Sequence, residues 1–283
     1  MINLNEKSIV ICSIVRDAEK GLKNNIPVIE RFCPMFRDYQ VVVFENNSKD
    51  TTKQLLASWM QRDSAHVHAL MEDRAMPPKQ KKSQPHVVNP FFSRERIEKM
   101  ATLRNQYMEY VDRQGWNMDY MMVVDLDVAQ LNLEGILSSF SSDKDWDAVT
   151  AFGYSTSPKL RRRYHDSYAL AEYCDQDKPQ TEKQIKILAD KYGSIKPTDD
   201  WVRVFSAFGG LAIYKFDAVK GLRYKALPNN DERVEVRCEH YSIYKGMYAR
   251  DFDKVYINPA MLLKYQDLTL KIVWNSIKRR LPL

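Results

Sequence analysis

Two carboxylates one residue apart, Asp125 and Asp127, close the apolar run Tyr120-Met-Met-Val-Val124. Side chains at i and i+2 of an extended backbone project to the same side, so the pair can converge on one divalent cation at the strand's exit. Mg2+ and Mn2+ take oxygen ligands, and Mg2+ is typically held by one or two carboxylates together with substrate phosphates. In an open α/β sheet, ligands gather at the carboxyl ends of strands, which is where this pair lies. Asp-x-Asp at a strand end is also the composition of a solvated turn, so the weight of the reading rests on the neighbours along the chain.

Other polar groups fall where such a sheet would bring them beside the pair. Ser13-Ile-Val-Arg-Asp17 ends an apolar run in groups able to line a nucleotide pocket, with Ser13, Val15 and Arg16 as donor contacts. Glu45-Asn-Asn-Ser-Lys-Asp50 ends the next run. There Glu45 and Asn46 can accept hydrogen bonds from ribose or base, while Ser48 or Asp50 can cap a helix starting near Thr51. Both roles can hold at once. Arg104 sits on the apolar face of a helix, one turn beyond Met100 and Ala101, with Asn105 beside it. A charge on such a stripe either snorkels or meets a buried anion, and the carboxylate strand that follows favours a phosphate or carboxylate partner. Asp166, between Tyr164 and Tyr168, is a candidate for sugar hydroxyls, and otherwise an exposed helical Asp. Trp201 is a stacking candidate by its type alone. Gly209 and Gly210 open a strand, where a missing Cβ either lets a ligand approach the backbone or marks a bulge.

The elements that must position these groups follow from the hydrophobic pattern. Ser8–Val15 and Val41–Phe44 read as buried strands and Val67–Leu70 as a third, with helices over Gly21–Phe36 and Lys53–Gln61 between them. Pro27 would start or kink the first helix. Strand, helix, strand, helix, strand is the grammar of a nucleotide-binding half-domain. Met76–Phe92 reads as a long loop rich in Pro, Lys and Gln, and Ser93–Val111 as a helix. Asp147–Phe152 and Phe208–Tyr214 are further strands, with a partly helical, tyrosine-rich stretch between them.

Composition narrows the function classes. The 283 residues are 44% hydrophobic, enough for a sizeable core without disulfides. The four cysteines form no Cys-x-x-Cys pair, which argues against structural zinc and fits reduced, intracellular thiols. A net charge of +6 is too small to imply nucleic-acid binding. Basic clusters at 79–82, 161–163 and 278–280 are solvated faces or, for the last two, sites for anions. No P-loop, Gly-x-Gly-x-x-Gly or Gly-x-Ser-x-Gly is present, against a common NTPase, a dinucleotide dehydrogenase and an α/β-hydrolase. Without a signal-peptide pattern or spanning stretch, the expected location is the cytoplasm, at most the inner face of the membrane.

The early strand with Arg16, the Glu45-Asn-Asn-Ser-Lys-Asp-Thr-Thr52 turn, the Leu103-Arg-Asn105 helix and the Asp125-Leu-Asp127 motif together resemble a GT-A-type glycosyltransferase. Tyr164-His-Asp-Ser-Tyr-Ala169, Phe208-Gly-Gly-Leu-Ala-Ile-Tyr214 and Cys238-Glu-His240 resemble, more narrowly, the fungal capsule-associated mannosyltransferase group and its bacterial polysaccharide-biosynthesis relatives. The resemblance covers roughly residues 8–265. It implies an α/β, Rossmann-like nucleotide-sugar fold with a mainly parallel central sheet, a GDP- or UDP-sugar donor, and a glycan or lipid-linked glycan acceptor in capsule or surface polysaccharide synthesis. It also implies Mn2+ or Mg2+, bound by Asp127 and completed by His240, which reads equally as an ordinary hydrogen-bonded histidine. Asp125 would contact the donor's ribose or sugar, with Leu126, Gly209 and Gly210 as further donor contacts and Asp166 and Trp201 on the acceptor. Glu239 occupies the place where inverting members keep a base, but Glu-His replaces the usual acidic pair. Glu239 is therefore a base under inversion, or a substrate-orienting group under retention.

A single domain is expected over 1–265. Over 266–283, Leu270, Val273, Trp274, Ile277 and Leu281 share one face of a basic amphipathic helix that either packs on the core or lies on an anionic membrane surface. Two other functions fit the same residues. One is a sugar-nucleotide nucleotidyltransferase, which would need a Gly-rich basic loop absent here. The other is a non-catalytic nucleotide-sugar-binding module.

Overall fold

The computed structural model describes residues 2–73, 88–156, 161–265 and Trp274. The apolar runs become strands and the amphipathic segments become helices in the order β1 (Ser8–Val15), α1 (Glu19–Phe32), β2 (Asp38–Asn46), α2 (Thr52–Arg62), β3 (Val67–Glu72), α3 (Arg94–Gln114) and β4 (Tyr120–Val124). Then follow α4 (Leu133–Ser141), β5 (Ala148–Thr156), β6 (Arg162–Tyr164), β7 (Ala171–Glu172), α5 (Glu182–Gly193), β8 (Val202–Ser206), β9 (Leu211–Lys215), α6 (Phe216–Val219), α7 (Glu239–Tyr248) and β10 (Val255–Lys264). Among the described residues ten strands form one sheet in the order β3-β2-β1-β4-β9-β5-β10-β8-β7, with β6 paired to β5. β6, β8 and β9 run against the others, so the sheet is mainly parallel, as expected.

Alternation along β1 explains the layering. Val10 and Cys12 enter one core with Ile97 and Met108 of α3, Ile185 of α5, Val219 of α6 and Ile243 of α7. Ile9, Ile11 and Val15 enter the other with Phe32 of α1, Trp59 of α2 and Phe140 of α4. Strands covered on both faces need apolar side chains at every position, hence the unbroken runs. Each fully buried aliphatic side chain contributes about 1.5–3 kcal/mol.

Three expectations change in detail. The first helix stops at Phe32 with Pro27 inside it, and Cys33–Met35 turns as a short 3-10 segment. Gly209 and Gly210 precede β9 rather than open it, with φ of 62° and 91°. The partly helical stretch holds α5 but also β6, β7 and β8, whose short strands are too brief to show a period. The 76–92 loop lies mostly outside the described residues, as do the 79–82 and 278–280 clusters and the 266–283 helix apart from Trp274.

From β1 the chain winds outward through β2 and β3, then crosses back by α3 to lay β4 on β1's other side. The order reverses between β1 and β4, and at such a switch point the carboxyl ends of the strands leave a crevice. Asp125 leaves β4 at that crevice.

Candidate active site

The ends of β1 and β2 form one braced rim. The N–H of Asp17 donates to Ser48 Oγ (3.0 Å), and that of Lys49 to Asp17 Oδ1 (2.7 Å). Asp50 accepts from the N–H of Glu19 at the start of α1 (3.0 Å) and from that of Thr52 at the start of α2 (3.0 Å). The N–H of Ala18 donates to Thr52 Oγ1 (2.8 Å). First-turn amides have no partner inside their own helix, so one carboxylate here serves two helices. Asp17 and Asn47 sit at φ of 48° and 58°, a left-handed conformation that Asp and Asn tolerate.

The floor is built differently. Arg104, 4% exposed, donates from Nε to Glu239 Oε1 (3.0 Å) and from Nη2 to Asp125 Oδ1 (3.4 Å). Its Nη1 has no partner among the described residues. Glu239 opens α7, and its other carboxyl oxygen accepts from Cys238 Sγ (3.3 Å). Asp125 is fixed by its N–H donating to the Gly210 carbonyl (2.8 Å) and by the Tyr265 hydroxyl donating to Oδ2 (3.4 Å). Tyr265, at the end of β10, stacks on His165 with ring centroids 3.3 Å apart.

Burial, with crowding added to it at Asp125 and Asp166, raises the proton affinity of Asp125, Asp127 and Asp166. Burial pushes the Asp125 carboxyl up to about 7; Arg104 opposes this and Asp127 adds to it. Burial also raises Asp127, opposed by its own N–H and by Arg104. Asp127 is exposed to solvent, which screens that rise, so the effect is weaker there than at Asp125. Asp166 is raised well above the carboxylate range by burial and by Glu239 and Asp125. It holds φ of 65° in the turn after β6, so it is not an exposed helical residue. Burial works against the charge on Arg104, but Asp125, Tyr107 and Glu239 outweigh it and hold the guanidinium charged.

These groups line a cavity of about 570 Å3, a size suited to a small organic ligand. Val15, Arg16, Asn46, Arg104, Asp125, Asp127, Asp166, Glu239 and His240 line it, so the expected site residues converge from β1, β2, α3, β4, the β6 turn and α7. Six others are not among its lining residues. Ser13 and Leu126 are buried in the sheet and in the α1 packing. Glu45 turns inward, accepting from the N–H of Ser48 (2.7 Å) with Lys53 Nζ 3.9 Å away. Gly209 admits backbone, not ligand: a Cβ there would stand 2.4 Å from the Ala151 carbonyl oxygen. A Cβ at Gly210 would press on the side chains of Leu263 and Tyr265. Trp201 leans on Tyr256 near the amino end of β10, the opposite edge of the sheet from Asp125. Asn105 is structural, bridging the backbone of Tyr224 through both its amide atoms.

Pattern reading passed over Tyr265, His165, Phe208, Cys238 and, on α3, Arg96 and Lys99, all of which line the cavity. Tyr265 carries a readable signal, as the first aromatic beyond the apolar run that becomes β10. His165, Phe208 and Cys238 lie inside the motifs that carry the family resemblance, whereas Arg96 and Lys99 have no signal, because only packing brings them to the cavity.

Among the described residues no three His, Cys, Asp or Glu side chains converge as a ready cage. His240 lies flat on Phe208 (centroids 3.8 Å, 18°), and burial and Arg104 push its proton affinity well down. Its ring nitrogens have no hydrogen-bond partner among the described residues, and Nε2 stands 3.8 Å from Glu239 Oε1. Asp125 and Asp127 nevertheless match a cation held by one or two carboxylates whose remaining ligands come from phosphates and water.

The sequence model of a family described as cryptococcal mannosyltransferase 1 matches residues 9–245. No curated protein sequence matches the chain. Similar solved structures include mannosyltransferase PcManGT of Pyrobaculum calidifontis with GDP-Man and Mn2+, at 12% identity and TM-score 0.48 over 98% of this chain and 62% of that one. S. aureus TarS 1–349 with UDP-GlcNAc is 11% identical, with TM-score 0.47 over 93% of this chain and 60% of that one. GalNAc-T7 with UDP, GalNAc and Mn2+ is 11% identical, with TM-score 0.46 over 97% of this chain and 48% of that one. The chain thus spans less than two thirds of the length of each of these structures.

Proposed function

We propose, for a chain that belongs to the cryptococcal mannosyltransferase 1 family and is a GT-A glycosyltransferase, that this cavity binds a nucleotide-diphosphate sugar and passes its sugar to a hydroxyl of a glycan or lipid-linked glycan. The observation that carries the reading is the convergence of Asp125, Asp127, Asp166 and Glu239 around Arg104 at the switch point between β1 and β4. Asp125 and Asp127 offer oxygen ligands to a divalent cation whose charge the donor's diphosphate balances, while Arg16, Arg96 and Lys99 line the same cavity as further cations.

Each wall then has a task. Val15, Arg16 and Asn46, at the ends of β1 and β2, receive the nucleotide. Asp125, held by Arg104 and Tyr265, meets the ribose or sugar. Asp127, with Asp125, would hold Mn2+ or Mg2+, whose chemistry is to neutralise the departing diphosphate. Glu239 accepts the hydrogen bond of the acceptor hydroxyl and aims its oxygen at the anomeric carbon. Arg104 keeps Glu239 and Asp125 at fixed separation, so the acceptor oxygen and the sugar are positioned by one side chain. Asp166 and Tyr168 contact the acceptor. We place the reaction in capsule or surface polysaccharide synthesis. Among the described residues no helix is long and apolar enough to cross a membrane.

Family membership removes the nucleotidyltransferase alternative. The test is a thermal-shift screen of UDP-, GDP- and CMP-sugars with and without Mn2+, since a ligand of the native state raises the melting temperature by mass action. Stabilisation by one nucleotide class that requires Mn2+ and disappears in Asp127→Ala is the expected result. Absence of any response would overturn the donor assignment.

A further inference from the structure

The cavity wall contributed by α3 is one helical stripe, read from the helix start as Arg96, Lys99, Met100, Leu103 and Arg104. The spacing i, i+3, i+4, i+7, i+8 keeps these residues on a single face. The same two turns carry Glu95 and Glu98, both exposed and not lining the cavity, and Arg94 pairs with Glu98 and Glu235 outside it, so the acids lie off the stripe that Arg96, Lys99 and Arg104 present to the cavity. Arg96 is held in place: Nη1 donates to the Phe91 carbonyl (3.0 Å), and the guanidinium lies 4.1 Å over the Phe91 ring. Phe91 also lines the cavity and is 52% exposed.

This end of α3 belongs to the acceptor side. The N–H of Arg94 donates to Glu235 Oε2 and that of Asn89 to the Arg233 carbonyl, so the helix start leans on the segment leading into α7. Phe91 and Phe92 pack on Tyr168, whereas Arg16 and Asn46 stand at the ends of β1 and β2. Deeper along the stripe, buried Arg104 keeps Nη1 without a partner among the described residues. At 1.5 Å per residue, Lys99 stands about 7.5 Å and Arg96 about 12 Å along the helix from Arg104.

Resting on the transfer reading above, we propose that the acceptor is an acidic glycan, whose carboxylate or phosphate is bound by Arg96 and Lys99. The sugar body lies over Met100 and Leu103, and the reacting hydroxyl reaches Glu239. Phe91 supplies an exposed ring at the mouth. A guanidinium and an ammonium side by side recognise an anionic oxygen group and leave a neutral sugar with polar groups it cannot satisfy.

The same anion chemistry could come from the donor's own diphosphate, and the experiment separates the two sources. Methyl glucoside, its uronic acid counterpart and glucose 6-phosphate are titrated calorimetrically, first alone and then with the stabilising nucleotide and Mn2+. The two acidic probes are expected to bind at least tenfold more tightly than methyl glucoside. That preference should vanish in the Arg96→Gln/Lys99→Gln variant and persist in Arg96→Lys/Lys99→Arg, with nucleotide-induced thermal stabilisation unaltered in both. Loss of nucleotide stabilisation in the Gln variant assigns the cations to the donor and overturns the proposal. Equal binding of acidic and neutral probes overturns it too, leaving a solvated helix face. Circular dichroism melts check that both variants fold. If no nucleotide stabilises the wild type, the donor reading fails while the titrations without nucleotide still decide the acidic preference.

Discussion

The rim at the ends of β1 and β2 and the floor around Arg104 border the same cavity but differ in how far the chain satisfies them. On the rim, Asp17, Ser48, Asp50 and Thr52 exchange hydrogen bonds among themselves and with the first turns of α1 and α2. On the floor, Arg104 Nη1 and both nitrogens of His240 lack partners among the described residues, and Asp125, Asp127 and Asp166 hold protons unusually tightly. Buried polar groups are normally paired, so a cluster of unpaired ones marks where something else completes the structure. The rim is finished by the chain except at Glu45, whose buried Oε2 has no hydrogen bond among the described residues and only Lys53 Nζ 3.9 Å away, and the floor is finished by its ligands.

The comparison breaks most visibly at Glu239. Glu239→Gln turns an amide toward the Arg104 Nε–H and is expected to lower kcat by about 10²-fold or more with nucleotide-induced stabilisation kept. Equal kcat in steady-state assays would remove Glu239 from the acceptor hydroxyl. Arg104→Met comes next. It leaves Asp125 and Glu239 facing each other without their shared cation, at about 3–5 kcal/mol of stability near pH 8 and less near pH 5, measured by urea unfolding at both.

The pH dependence of the floor is smaller and has a definite sign. The folded Asp125 carboxyl titrates at about 7, above its ordinary 3.8, so folding favours the protonated form. Its stabilising contribution is therefore full below the ordinary value and is lost as pH rises toward 7. The ligand-free wild type should lose melting temperature relative to Asp125→Asn between pH 5 and 8. Stabilisation of the wild type by nucleotide with Mn2+ should grow over the same range, because the cation displaces the proton. Parallel melts of the two proteins with no divergence would contradict the crowding described here.

The rim sets the smallest effect. Asp50→Ala removes an acceptor shared by two helix starts and should cost about 1–2 kcal/mol in thermal unfolding while leaving the chemistry in place. A drop in kcat comparable to that of Glu239→Gln would show that the rim is no mere brace.

Much of the parallel half was legible because its strands are buried on both faces and must be apolar throughout. The runs that become β1, β2 and β4 stand out for that reason, and the polar residues at their ends point to the carboxyl edge. Arg104 was legible as a charge on an apolar stripe, and the anion inferred for it is a pair of carboxylates, Asp125 and Glu239. The short β6, β7 and β8 and the long β10 were not read, the first three being too brief for a period to emerge. Trp201 shows the limit of residue type: indole stacks on sugars and in cores alike, and here it packs near Tyr256.

By itself, then, the sequence determined a mainly parallel α/β sheet, a carboxylate pair at a strand exit and the family to which these belong. Local periodicity and motif spacing are properties of the chain in one dimension. Only the tertiary structure decided that Glu239, 135 positions beyond Arg104, shares its guanidinium with Asp125, that Tyr265 reaches back to Asp125, and that Glu45 turns away from the cavity. Those outcomes depend on which helix leans over which strand end, and long-range packing sets that angle where no local pattern can.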